Sequence, residues 1–82
     1  MNALNASNLH TIRTFHGLHQ SELADLLGVG QSYVAMIESG SRPFTEDLRS
    51  RTLQALGLSH EEVSKIIAIQ AGYEAARNNY LK

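Results

Sequence analysis

Gln31, Ser32, Tyr33, Ala35 and Met36 fall within six consecutive positions of this 82-residue chain, and their chemistry is that of recognition rather than bond making. Gln31 offers a donor and an acceptor side by side, which matches N6 and N7 on an adenine edge. Ser32 can donate or accept at several bases, and Ala35 or Met36 can lie against a thymine methyl. Tyr33 can stand against a phosphate or a sugar edge. No arginine lies in the segment to fork onto a guanine. The plain alternative for each position is a solvated helix residue. Catalysis has no comparable set: there is no glycine-rich phosphate loop, no nucleophile elbow and no cysteine, and the serines, histidines and aspartates lack a supporting motif. The histidines at 10, 16, 19 and 60 lack ligand spacing, so His16 and His19 read as exposed turn residues. Neither a metal nor a cofactor is expected, and the chain does not read as an enzyme.

Such a set reads an edge only if a rigid element presents it. The stretch Gln20 to Gly40 supplies one as two short amphipathic patterns pinched around Gly28-Val29-Gly30. Leu23, Ala24 and Leu27 share the inner face of the first, and Val34, Ile37 and the stem of Glu38 that of the second. Gly28 suits the left-handed position that ends a helix, Val29 can drop into the core, and Gly30 can open the next helix. Ala24 is small where two helices joined by a short turn must cross closely. The spacing predicts helices over about 20–27 and 31–39, a helix-turn-helix.

With Gly17, Leu18, Gln20, Leu23, Ala24, Gly28, Val29, Ile37, Glu38 and Gly40 in these places, the chain resembles the Cro/CI-type (XRE-like) helix-turn-helix family of phage repressors, controller proteins and antitoxins. Leu9, Ile12 and Arg13 resemble its first helix. Arg42-Pro43-Phe44-Thr45-Glu46 and Ala55-Leu56-Gly57-Leu58-Ser59 resemble its fourth-helix segment. The likeness covers roughly residues 7 to 62. It implies an all-α, compact five-helix, lambda-repressor-like DNA-binding domain with a longer C-terminal helix, and double-stranded DNA as the partner.

In a helix-turn-helix the second helix enters the major groove with its N-terminal residues toward the bases, which assigns reading to Gln31, Ser32, Tyr33, Ala35 and Met36. Gln20, at the start of its helix, is expected to meet a phosphate oxygen, as the matching glutamine does in related repressors. Ser39, Ser41 and Arg42 follow the reading helix and are expected beside the backbone, with Arg42 the best electrostatic contact. The family often joins the positions of Arg13 and Glu38 in a partly buried ion pair, and Arg13 is expected to share its remaining donors with a phosphate.

Along the rest of the chain, Ser7 is expected to cap a first helix that runs to about His16, with Leu9, Ile12 and Phe15 inward and Gly17 ending it. The cap of the second helix falls on His19, with Glu22 in the capping-box position. Thr45 is expected to cap a fourth helix with Leu48, Thr52, Leu53 and Leu56 as its inner stripe, Thr52 standing where an apolar residue is usual. Ser59 and Glu62 form a capping-box pattern for a last helix whose periodicity persists through Val63, Ile66, Ile67, Gln70, Tyr73 and Arg77. The run Ile66, Ile67 and Ile69 is apolar beyond one stripe. Residues 1–58 are therefore read as the DNA-binding domain and 59–82 as a dimerisation helix using Val63, Ile66, Ile67, Ile69, Gln70 and Tyr73, with Gly72 a kink or a close approach of two chains. A plain fifth helix packed on the core is the alternative.

A net charge of −1 argues against nucleic acid, since duplex binders usually carry a basic footprint. The acids, however, fall mostly in expected first helical turns, where they complement the helix dipole. No stretch reads as a membrane span or a signal peptide, so the expected compartment is the cytoplasm. The leading expectation is a homodimeric transcriptional regulator, a repressor reading an inverted repeat. The alternative is a protein-interaction module, an antirepressor or antitoxin bound to a repressor or toxin.

Overall fold

The computed structural model describes residues 3–80. Five helices follow one another, α1 (Ala6–Phe15), α2 (Gln20–Leu27), α3 (Gln31–Ser39), α4 (Glu46–Leu56) and α5 (His60–Tyr80), with no strand among the described residues. The all-α expectation is met. Leu9, Ile12, Leu23, Ala24, Leu27, Val34, Ile37, Leu48, Val63 and Ile66 meet in one core.

The start of α1 differs from expectation. Asn5, not Ser7, is the N-cap: its Oδ1 accepts from the Asn8 N–H at 3.1 Å while Asn8 Oδ1 accepts from the Asn5 N–H at 2.9 Å. This is a reciprocal capping box built from two asparagines. Ser7 lies in the first turn and donates to Asn5 Oδ1. Asn8 also donates through Nδ2 to the Ala3 carbonyl at 2.8 Å. The anchored segment places Leu4 and Leu9 at the positions of a hydrophobic staple, and both are fully buried. Arg49 fixes the same segment to α4, donating through Nε to the Leu4 carbonyl at 2.8 Å with its guanidinium over the Phe44 ring.

Phe15, expected inward, is 47% exposed and meets the edge of His16 instead. Helical geometry explains this: at about 100° per residue Phe15 lies about 120° from Leu9, whereas Ile12 and Arg13 flank it. Gly17, Gly28, Gly40 and Gly57 all adopt positive φ. At Gly28 (φ 70°) this lets the Val29 N–H return to the Ala24 carbonyl at 3.0 Å, so the chain turns within three residues. Buried Thr52 satisfies its hydroxyl on the Leu48 carbonyl at 2.7 Å, which is why a polar residue is accommodated in the α4 stripe.

Ser59 and Glu62 close the reciprocal box at the start of α5, and the helix runs unbroken through Gly72. Its first two turns belong to the core. Val63 and Ile66, expected to face a second copy, are buried inside their own domain, and Ile67 packs against it. The packed unit therefore continues past the expected division at residue 58. Ile69 and Tyr73 are 60% and 63% exposed, Gln70 is half-buried, and residues 71–79 are exposed throughout.

Candidate nucleic-acid interface

Val34 and Ile37 commit one face of α3 to the core. The helical repeat then turns Ser32, Ala35, Met36 and Ser39 to the opposite side. Ser32 and Ser39 are exposed, Ala35 and Met36 half-buried, and Gln31 is exposed at the first turn. No side chain caps this helix at Gly30, so unpaired backbone N–H groups of its first turn add positive potential beside Gln31. At the other end, Gly40 in the left-handed region folds the chain back so that the N–H groups of Ser41 and Arg42 donate to the Met36 carbonyl at 2.8 and 3.2 Å. Ser39 and Ser41 hydroxyls lie 3.0 Å apart. Ser39, Ser41 and Arg42 thus form one exposed ledge at the end of α3.

Behind this surface lies a polar cluster centred on Glu38. Its carboxylate accepts from Arg13 Nε at 2.7 Å and Arg13 Nη2 at 3.1 Å, a bidentate pair with the two side chains only 8% and 7% exposed. Arg13 also donates through Nη1 to the Leu18 carbonyl at 2.8 Å and through Nη2 to His10 Nδ1 at 2.9 Å. Because a guanidinium can only donate, the His10 ring accepts at Nδ1 and carries its proton on Nε2. The expectation that Arg13 shares donors with a phosphate is corrected by this arrangement: the group is buried and turned to Glu38, Leu18 and His10. Gln20 is corrected in part, since its Nε2 donates to Glu38 Oε1 at 3.1 Å and its amide joins the cluster rather than projecting freely. A glutamine at the head of one helix, a glutamate late in the next and an arginine from α1 thereby lock the three helices together.

Burial by itself would raise the Glu38 carboxyl. Hydrogen bonds from Arg13 and Gln20 and the Arg13 charge outweigh it and hold the group below its ordinary value of 4.5. A carboxyl depressed in the folded state contributes stability that is complete above its unfolded value and is lost as pH falls through the folded one. Urea midpoints measured at neutral pH and in steps below pH 4.5 are expected to fall in the native chain. The fall should be shallower in Glu38→Gln, and equal slopes in the two proteins would contradict the assignment.

The remaining charges explain how a weakly acidic chain can present this face. Arg49 pairs with Glu46, Arg51 with Asp47 and Lys65 with Glu61 along their own helices. Among the described residues this leaves Arg42 and Arg77 outside ion pairs. Glu22, Glu46, Asp47, Glu61 and Glu62 occupy first helical turns, as expected from the sequence. No group of three or more His, Asp or Glu residues among the described ones could hold a metal, and no helix is long and apolar enough to cross a membrane.

The family model described as Helix-turn-helix matches residues 9–63, about two thirds of the chain. No curated protein and no solved structure matches it. The match runs from α1 into the first turn of α5, so it contains α2, the glycine turn, α3 and the Glu38 cluster, and stops where the exposed part of α5 begins. The chain belongs to the XRE-type helix-turn-helix family and is a DNA-binding regulator.

Proposed function

We propose that the protein is a cytoplasmic transcriptional repressor that binds an inverted repeat as a homodimer, with α3 of each copy in a major groove. The observation that carries this reading is the outward face of α3, where Ser32, Ala35 and Met36 stand opposite the buried Val34 and Ile37, with exposed Gln31 at its head. Small and uncharged residues let the helix approach base edges closely, and their donors, acceptors and methyls suit adenine and thymine. Ser39, Ser41 and Arg42 fix the register on the backbone, and Gln20 adds a phosphate contact through whatever donor capacity Glu38 leaves it. Two copies would set half-sites about 34–36 Å apart, one helical turn.

Selection of binding sites from random duplex DNA by the purified chain tests this directly. The expected product is an inverted repeat, and failure to enrich any sequence would sink the reading. Gln31→Ala is expected to relax preference at one base pair per half-site, weakening the selected site by about 1–3 kcal/mol while leaving non-specific binding in place. Because one unpaired cation lies beside the reading helix of each copy, the dimer should lose affinity with salt gently, with a slope of log K against log salt near −2.

A protein-interaction module, an antirepressor or antitoxin, is the second reading, favoured by the exposed Ile69 and Tyr73 on a chain poor in free positive charge. A stoichiometric co-purifying protein together with no duplex affinity would support it over the first.

A further inference from the structure

We propose that Tyr33 is not a base reader but the platform that holds Arg42 in place to grip a DNA phosphate. This rests on the duplex-binding reading above and assigns Tyr33 a different part in it. The Arg42 guanidinium carbon lies over the Tyr33 ring, 6.0 Å from its centroid. At that distance the ring's negative face attracts the cation, and the exposed guanidinium, whose N–H groups bond no other described residue, keeps them open for a phosphate. The backbone restrains the same residue. Its N–H is tied to the Met36 carbonyl at 3.2 Å, Pro43 restricts its dihedral angles, and Phe44 anchors the next turn in the core. Tyr33 is half-buried and packed against the core, so its ring is a fixed support rather than a mobile reader.

Charge makes this pair matter. Arg13, Arg49, Arg51 and Lys65 are each held by a carboxylate, and Arg77 lies far along α5. Arg42 is thus the one described cation outside an ion pair on the helix-turn-helix itself. An arginine that carries most of a protomer's attraction for phosphate gains from being held before the duplex arrives, because less side-chain freedom is lost on contact.

The test uses the full chain and a fluorescein-labelled duplex enriched from random DNA by the unaltered protein, with affinity followed by anisotropy over a range of salt. Tyr33→Phe keeps the ring and is expected to bind within about twofold of the unaltered protein. Tyr33→Leu is expected to weaken binding about three- to tenfold without changing which sequence is preferred. Arg42→Gln is expected to weaken it further and to flatten the salt slope by about one for each copy bound. In the Arg42→Gln background, Tyr33→Leu should cost almost nothing more. If Tyr33→Leu costs as much there as in the unaltered chain, or shifts the preferred sequence, Tyr33 acts on its own and the inference fails while duplex binding stands. If the unaltered chain enriches and binds no duplex, the duplex-binding reading fails and takes this inference with it.

Discussion

Glu38→Ala is expected to destabilise the domain by about 3–5 kcal/mol, the cost of leaving a buried guanidinium without its counter-charge. Three donors converge on that carboxylate, Arg13 Nε and Nη2 and Gln20 Nε2, from helices α1 and α2 onto α3. The alanine removes all three bonds together and opens a polar hole that the core cannot fill. For a domain of this size the loss corresponds to a fall in melting temperature of roughly 12 °C or more. Glu38→Gln retains one carbonyl oxygen for Arg13 and should cost less. The double replacement Arg13→Met/Glu38→Met removes both charges while filling space and is expected to recover much of the loss, because desolvating two charges offsets most of what their attraction contributes. Denaturant unfolding of the three variants checks the ordering. A Glu38→Ala loss below about 1 kcal/mol would mean that the pair is screened as a surface pair is.

The same cluster illustrates what could be read from the sequence and what could not. The ends of α2 and α3 agree with the expected boundaries because local chemistry decides them: Gly28 and Gly40 take the left-handed conformation, and the apolar spacing between them is helical. The amphipathic pattern also separates Val34 and Ile37 from the outward residues of α3. Three-dimensional partners are another matter. That Gln20 would turn to Glu38, and that Arg13 would give Nε and Nη2 to Glu38 rather than to a phosphate, depends on how close α1 and α2 come to the end of α3, which no local pattern encodes. Leu4 precedes its helix and so escapes the periodicity, and the Asn5–Asn8 box that anchors it carries asparagine where the usual signature has Glu or Gln. On α5 the pattern announces apolar faces but not what covers them. Val63 and Ile66 turn out to serve their own core, which leaves Ile69 and Tyr73 as the only large apolar side chains still exposed among the described residues of that helix.

Those two residues carry the second large effect. Ile66, Ile69 and Tyr73 follow one another at spacings of three and four, so the stripe that begins inside the core emerges onto the free part of α5 without a break. If a second copy covers it, as proposed, the full-length variant Ile69→Lys/Tyr73→Glu should abolish pairing while leaving the domain folded, since surface replacements away from the core usually change stability by less than about 0.5 kcal/mol each. Sedimentation is then expected to give a species of 9.0 kDa where the unaltered chain gives twice that mass. Affinity for a complete inverted repeat should fall at least about a hundredfold, toward that of a single half-site, because the second reading helix no longer arrives tethered to the first. Arg42 makes the loss severe: with so little phosphate attraction in one copy, a lone domain has few contacts to hold it on the duplex. A variant that stays dimeric would place the interface elsewhere, and one that becomes monomeric yet binds the full repeat undiminished would show that each copy reads its half-site alone.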